Sequence, residues 1–312
     1  MSSLFILLQY LLPQHALSRL LGWFATNPGL KNLLIPAFIK HYKVDLSDAV
    51  INQPQQFQHF NAFFTRELKA DARPLGIDPD PSPDSVLNKS DTDKLDSQRL
   101  SSSIIISPAD GVISQMGDID KGRLLQAKGR DFSLVELLGH KHELAELFQE
   151  GSFSTIYLSP RDYHRVHMPI AGTLLQTTYI PGKLFSVNNT TAQSVPDLFA
   201  RNERLVCIFD TAAGPMALIL VGAMIVAGVA TVWSGTVCPG SGKREIQTCD
   251  YSQHSPPVQL AAGSEMGRFF LGSTVISLFG PGAVNYHEFW QAESKIAMGQ
   301  LLGSVCQQDL AS

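Results

Sequence analysis

From residue 211 to residue 242 the chain carries no charged side chain, and residues 216–233 are almost wholly apolar. Such a run has two physical solutions. A membrane-spanning helix needs about 20 apolar residues in sequence. Buried strands need the same apolarity in shorter pieces, separated by turns. Here Gly222 and Gly228 interrupt the run, Val, Ile and Thr are frequent, and Ala213-Gly214-Pro215 reads as a turn before it. The stretch is therefore expected to form buried β-strands.

The same texture extends from Ile104 to about Phe289, in short Val/Ile/Tyr/Phe runs punctuated by Gly and Pro. Strands are expected at residues 154–158, 172–179, 205–209 and 275–279. A helical interlude around residues 132–150 carries Leu134, Leu137, Leu138, Leu144 and Leu147. Residues 1–75 read as helical, with Phe57, Phe60, Phe63, Phe64 and Leu68 at helical spacing. Residues 76–103 are rich in Ser, Asp and Pro, carry little to bury, and read as a loop or insertion. The expected architecture is α+β, with N-terminal helices packed on a mainly antiparallel β core. It divides into a helical membrane-associating region (1–75), the loop or insertion (76–103) and a β-rich catalytic domain (104–312).

Charge narrows the function. The net charge of −4 gives no basic excess for nucleic acid. Charged residues make up 17% of the chain, below the roughly 25% of ordinary soluble domains. Cys207, Cys238, Cys249 and Cys306 are too few for a disulfide framework and form no CxxC pair, which fits free thiols in a reducing compartment.

The N-terminus departs from this acidic balance. The apolar run at residues 4–12 ends at Pro13, too short to span a bilayer. No basic segment precedes it, so it is a poor signal peptide. Leu17, Leu20, Leu21, Trp23, Phe24, Leu33, Leu34, Ile35, Phe38 and Ile39 follow, interspersed with Arg19, Lys31, Lys40 and Lys43 against the single acid Asp45. Apolar helical patches with scattered cations suit a helix lying in the membrane interface. Packing into a soluble core is the competing reading of the same pattern.

Familiar catalytic signatures are missing. Gly242-Lys243-Arg244 lacks both the upstream glycine and the hydroxyl of a P-loop, and neither a G-x-S-x-G elbow nor an HExxH helix occurs. His164-x-x-His167 has no Cys or carboxylate cluster to complete a zinc set, so no metal is expected. Three segments remain unusual. Ser107-Pro-Ala-Asp110-Gly111 presents an acid on a tight turn. Residues 157–169 crowd Arg161, Asp162, Tyr163, His164, Arg165 and His167 together. Leu271-Gly272-Ser273-Thr274 places a Gly-Ser step inside an apolar strand. Taken singly, each has a structural reading: a turn cap, core histidines, a bulge.

Together they resemble the phosphatidylserine decarboxylase proenzymes, a pyruvoyl-dependent family. The family's Leu-Gly-Ser-Thr cleavage motif stands at 271–274, its Ser-Pro-Ala-Asp-Gly at 107–111 and its Ser-Pro-Arg-Asp-Tyr-His-Arg-x-His at 159–167. Phe64-Thr-Arg66-Glu-Leu68, followed by Arg73-Pro74, matches an upstream block. The likeness runs from about residue 15 to 290, and the stretch near 78–103 looks like an insertion.

The resemblance implies self-cleavage between Gly272 and Ser273. Ser273 attacks the Gly272 carbonyl, His167 acts as its base and Asp110 orients His167. Glycine at 272 leaves the carbonyl open to attack. The products are residues 1–272 and 273–312, held as a heterodimer, with Ser273 converted to a covalent pyruvoyl group. That group acts as the electron sink that decarboxylation requires. His164, whose solution pKa lies near 6.5, is the expected proton donor. Arg161 or Arg165 is expected either to hold phosphate or to brace its loop. The implied reaction converts phosphatidylserine in the bilayer to phosphatidylethanolamine and carbon dioxide in phospholipid biosynthesis. The implied enzyme is a peripheral homo-oligomer on the cytoplasmic side of a bacterial inner membrane. Two rivals remain at this level: a Ser-His-Asp hydrolase that uses Ser273 uncleaved, and a membrane-binding protein without catalysis.

Overall fold

The charge-free stretch forms strands. Arg204–Thr211 turns at Thr211–Gly214, where the Thr211 hydroxyl donates to the Gly214 carbonyl at 2.7 Å, and returns as Gly214–Gly222. Gly214 has φ +78°, a left-handed value that glycine takes without strain. Val229–Thr231 follows as a separate short strand. The computed structural model describes residues 2–77, 103–127, 129–224, 228–238, 245–270 and 273–306. Most of the expected insertion, residues 78–102, lies outside them, as do Leu271 and Gly272.

A nine-stranded antiparallel sheet organises the molecule. Its order is Gln247–Asp250, Gly172–Ile180, Arg204–Thr211, Gly214–Gly222, Ser273–Phe279, Ser152–Leu158, Gly111–Asp118 and Lys295–Ile296, with Gln259–Leu260 also paired to Gly172–Ile180. Ser273–Phe279 is buried along its whole length near the middle.

Alternation along that strand sorts its side chains between two cores. Val275 and Phe279 join one cluster, with Ile156, Leu158, Leu218 and Leu220. Ile276 and Leu278 join the other, with Phe153, Ala217 and Ile219. The first face also packs Ile105, Val166, Phe269, Val284 and Leu302. These come from a four-stranded sheet containing Arg165–His167 and Glu265–Phe269, and from a three-stranded sheet. The second face is covered by short helices, Leu134–Leu137, His142–Glu146, Asn189–Ser194 and Leu198–Arg201, and by the Arg123–Ala127/Arg130–Ser133 hairpin. Full burial of each such Leu or Phe stabilises by roughly 1.5–3 kcal/mol.

The N-terminus forms α1 (Ser2–Leu11), α2 (Gln14–Thr26), α3 (Lys31–Tyr42) and α4 (Phe60–Phe64). Helix is less extensive here than the sequence suggests. The phenylalanine spacing yields only the five residues of α4, while Leu68 pairs in an isolated bridge with Ala49. The rings satisfy a small core of their own, Ala25, Ile35, Val44, Phe57, Phe60, Phe63 and Phe64. Cluster packing, rather than helix continuation, accounts for their spacing. No helix among the described residues is long and apolar enough to cross a membrane.

Candidate active site

Strand register brings the three unusual segments to one end of the large sheet. Ser273 sits opposite Leu158 on one side and Gly222 on the other. Val112 pairs with Tyr157, which sets Gly111 beside Leu158 on the far side of the same strand. Adjacent strands lie about 4.8 Å apart, so Ser273 and Gly111 are roughly 10 Å apart across it. Glycine is required at 111, because a Cβ there would collide with the Tyr157 carbonyl. From Leu158 the chain turns through Ser159–Tyr163 and returns as Arg165–His167, whose His167 amide donates to the Pro108 carbonyl at 2.8 Å. Residues 107–111 and 159–167 are thereby stitched together.

Ser273 is fully buried, and its hydroxyl has no hydrogen-bond partner. By strand alternation it lies on the face shared with Val275 and Phe279, the face covered by the sheet that contains His167. A buried hydroxyl without a partner costs about 1–3 kcal/mol. The Thr274 hydroxyl is in the same condition on the opposite face.

His167 is anchored at both nitrogens. Nδ1 lies 2.8 Å from the Gly263 carbonyl, which only accepts, so Nδ1 carries the proton. Nε2 lies 3.0 Å from the Tyr163 hydroxyl and accepts from it. Burial lowers the pKa of His167 and keeps the ring neutral.

His164 is wholly buried. Its Nδ1 donates to the Asp162 carbonyl at 2.8 Å, its ring lies 4.0 Å from the Phe64 ring, and Nε2 has no partner. Burial, aided by the nearby Arg66 charge, pushes its pKa down to about 3. This lies well below the solution value near 6.5 from which the expected proton donation was argued. In the uncut chain His164 is a neutral ring with a bare lone pair, and it has no proton to donate from Nε2.

Asp110 does not touch His167. Its carboxylate is held by Arg73, with Nε at 3.0 Å and Nη2 at 2.6 Å, and by the Met298 amide at 2.8 Å. In place of a hydrogen bond between Asp110 and His167, the orienting contact that the resemblance implies, this structure shows two separate arrangements. Gly263 orients the histidine, and Arg73 engages the aspartate in a bidentate pair. Arg73 is pulled to a higher pKa chiefly by its hydrogen bonds to Asp110. The forked guanidinium matches both carboxylate oxygens and outcompetes a single imidazole contact.

Arg66 lies buried beneath the 159–164 turn, its Nη2 donating to the Arg161 carbonyl at 3.1 Å. Asp162 Oδ2 accepts from the Ser159 amide and hydroxyl, each at 2.7 Å, and closes the turn. Arg165 donates to the Thr65 carbonyl at 3.0 Å and to Glu265 at 2.9 Å, contacts that brace its loop. Arg161 is half exposed and borders a cleft of about 270 Å³ with Asp110, Asp162, Lys295 and Gln300.

Sequence reasoning missed Arg73, Tyr163, Arg66 and the Gly263 carbonyl. Three of them lie in matched blocks (Arg66 and Arg73 upstream, Tyr163 beside the histidines), so their place in those blocks was the available signal. The Gly263 carbonyl, a main-chain atom, offered none. The cleavage position Gly272 lies outside the described residues.

Known proteins resemble this chain over nearly its whole length. A family model described as phosphatidylserine decarboxylase matches residues 60–304, and a second, described as PSD, matches residues 4–43. The phosphatidylserine decarboxylase proenzyme of Ectopseudomonas mendocina is 55% identical over 304 residues, covering 96% of this chain and 98% of its own length. Those of Azotobacter vinelandii and Pseudomonas aeruginosa PAO1 are 52% and 51% identical, each over 96% of this chain and over 97% and 96% of their own lengths. With a motif-bearing strand end matched over nearly the whole chain, the protein belongs to the phosphatidylserine decarboxylase family.

Proposed function

We propose that this chain cuts itself between Gly272 and Ser273, converts Ser273 to a pyruvoyl group, and then decarboxylates phosphatidylserine to phosphatidylethanolamine and carbon dioxide. The observation that carries the reading is the buried, partnerless Ser273 hydroxyl at the head of the central strand.

In the cleavage, His167 Nε2 takes the Ser273 hydroxyl proton once the Tyr163 hydroxyl has moved aside. A bond forms from Oγ to the Gly272 carbonyl carbon, the Gly272–Ser273 amide breaks, and the proton passes to the freed amine. Loss of the Ser273 Cα proton then expels the Gly272 carboxylate from Cβ and leaves dehydroalanine. Addition of water and loss of ammonia complete the keto group. One water is consumed and one ammonia released overall. Asp110 acts at a distance, its charge shared with Arg73 and favouring the imidazolium that His167 becomes. The site residues fit the group: the Ser273 hydroxyl, buried without an acceptor, is lost with the Gly272 carboxylate, and Cβ is left as a methyl that needs no hydrogen-bond partner. The smaller fragment stays bound, because Ser273–Phe279 is laddered on both sides.

Once formed, the pyruvoyl group supplies the sink for the electron pair left on the substrate Cα as carbon dioxide departs. His164 takes a proton from the substrate's ammonium on its bare Nε2 and returns it to Cα. Phe64 against its ring keeps that nitrogen away from water. Arg161 and Lys295 at the cleft beside Asp110 receive the phosphate.

The lipid substrate assigns the N-terminal helices to the membrane surface, on the cytoplasmic side of the inner membrane. Leu11, Trp23 and Leu33 are 72%, 60% and 69% exposed. Between α2 and α3 runs an apolar groove of about 610 Å³ lined by Leu21, Phe24, Leu33, Leu34 and Phe38. Such a surface suits burial at the acyl boundary. Mass spectrometry of the purified protein tests the reading. Two fragments are expected, the smaller beginning at residue 273 with a keto cap that borohydride reduces; a single intact chain in active preparations would overturn it.

A further inference from the structure

Away from the catalytic end, the elbow between α1 and α2 encloses a pocket of about 300 Å³ against the loop around residues 182–186. The elbow is fixed by side chains of α1 and α2. Gln9 Oε1 accepts from the Ser186 amide at 2.7 Å, and Gln14 Oε1 accepts from the Leu184 amide at 2.8 Å. Gln14 Nε2 donates to the Gln9 carbonyl at 2.7 Å, and His15 Nε2 meets the Gly182 carbonyl at 2.9 Å. These bonds hold the pocket walls in place and settle the amide orientation of Gln9.

One donor is left over. Gln9 is 1% exposed, its Nε2 has no acceptor, and it lines the pocket. Arg19 and Lys183 stand at the mouth, and neither has an ion-pair partner among the described residues. The positive end of α2 opens into the same space, with no capping side chain and no acid in its first turn. No carboxylate is among the described residues that line the pocket. The nearby Glu203 is engaged by the Tyr179 hydroxyl at 2.9 Å and by His15 at 3.6 Å. Leu12, which lines the pocket, is 41% exposed.

We propose that this pocket binds a phosphate group, chiefly that of an anionic glycerophospholipid, as a second lipid-headgroup site separate from the catalytic cleft. Two unpaired cations, a helix N-terminus and an orphaned amide donor together match an acceptor-only tetrahedral anion. The exposed Leu12 at the pocket suits an acyl chain leaving that phosphate. The source of the phosphate as lipid rests on the membrane-docking reading above.

The test uses the self-cleaved protein and vesicles of phosphatidylcholine, alone or with phosphatidylglycerol, in a sedimentation assay. Arg19→Glu/Lys183→Glu is compared with Lys40→Glu/Lys43→Glu, which changes the net charge equally outside the pocket. Gln9→Glu keeps the acceptor for Ser186 while removing the orphan donor. The pocket pair is expected to weaken binding to the phosphatidylglycerol vesicles about tenfold, at least threefold more than the control pair. Gln9→Glu should weaken it several-fold, and binding to phosphatidylcholine alone should be unchanged. Equal losses in the two pairs, with Gln9→Glu like the wild type, overturn the proposal. Inorganic phosphate and glycerol 3-phosphate form a separate arm, read by thermal unfolding. If the wild type binds no vesicle, membrane docking fails. Protection by phosphate that Gln9→Glu abolishes then supports the site with free phosphate as its source, and absence of that protection overturns the site as well.

Discussion

The two ends of the chain treat leucine and phenylalanine in opposite ways. In Ser273–Phe279 every side chain is buried, and its apolar residues divide between two cores. Among the residues of α1 to α3 whose side chains are described, Ala25 and Ile35 are the apolar ones fully covered, while Leu11, Trp23 and Leu33 face outward. Both regions are apolar in sequence. They differ in what satisfies them: the strand is covered by neighbours of its own chain, and the helices are left for something outside it. The buried end can therefore hold an unpartnered hydroxyl, and the exposed end offers apolar surface to a partner outside the chain.

The largest effect expected is at the buried end. Ser273→Ala removes the attacking oxygen, so a single uncut chain without decarboxylase activity should be seen on denaturing gels. Normal processing in that variant would remove the basis of the comparison. His164→Gln should leave cleavage intact and lower turnover by 10² or more, since general acid–base groups contribute about 10²–10⁴. Measuring both in one preparation separates the two histidines; loss of cleavage with His164 would merge their roles.

Arg73→Met leaves the Asp110 carboxylate without its partner and should lower unfolding stability by roughly 2–4 kcal/mol, less than a fully buried pair would cost because both groups keep some solvent contact. Urea denaturation reads this directly, and an unchanged midpoint would show that the pair is dispensable.

The buried histidines also set a pH dependence. His164 is driven to about 3 in the folded chain against an ordinary 6.5, so the unfolded chain binds the extra proton between those values. Stability is then full above pH 6.5 and falls as the pH drops toward 3. The loss due to His164 alone amounts to about 2 kcal/mol at pH 5. In His164→Gln the slope between pH 6.5 and 5 should flatten; an identical slope would assign the effect elsewhere. The smallest effect is expected at the exposed end. Trp23→Ser and Leu11→Ser should weaken vesicle binding while leaving cleavage and fold untouched, and unchanged binding would show that these side chains do not enter the bilayer.

The active end was legible in sequence to the extent that its residues lie in contiguous blocks. Asp110, His164, His167 and Ser273 could be named because each sits in a block that resembles a motif of the family, while each block taken singly has a structural reading. Their pairings could not be. Arg73 reaches Asp110 and Gly263 reaches His167 across long stretches of chain, and no local pattern encodes those contacts. The phenylalanines at 57–68 misled for a related reason: helical spacing and a compact ring cluster produce the same list of residues, and only packing separates them.

The absence of charge and the glycine breaks by themselves determined that Gly214–Gly222 and Val229–Thr231 would be buried strand, because a pleated backbone offers that apolarity two faces to fill. Glycine and proline set where those strands turn. The tertiary structure decided the protonation of His164 and His167 and the partner of Asp110. Those depend on burial and on geometry between distant segments, and a side chain's pKa follows from what surrounds it in space.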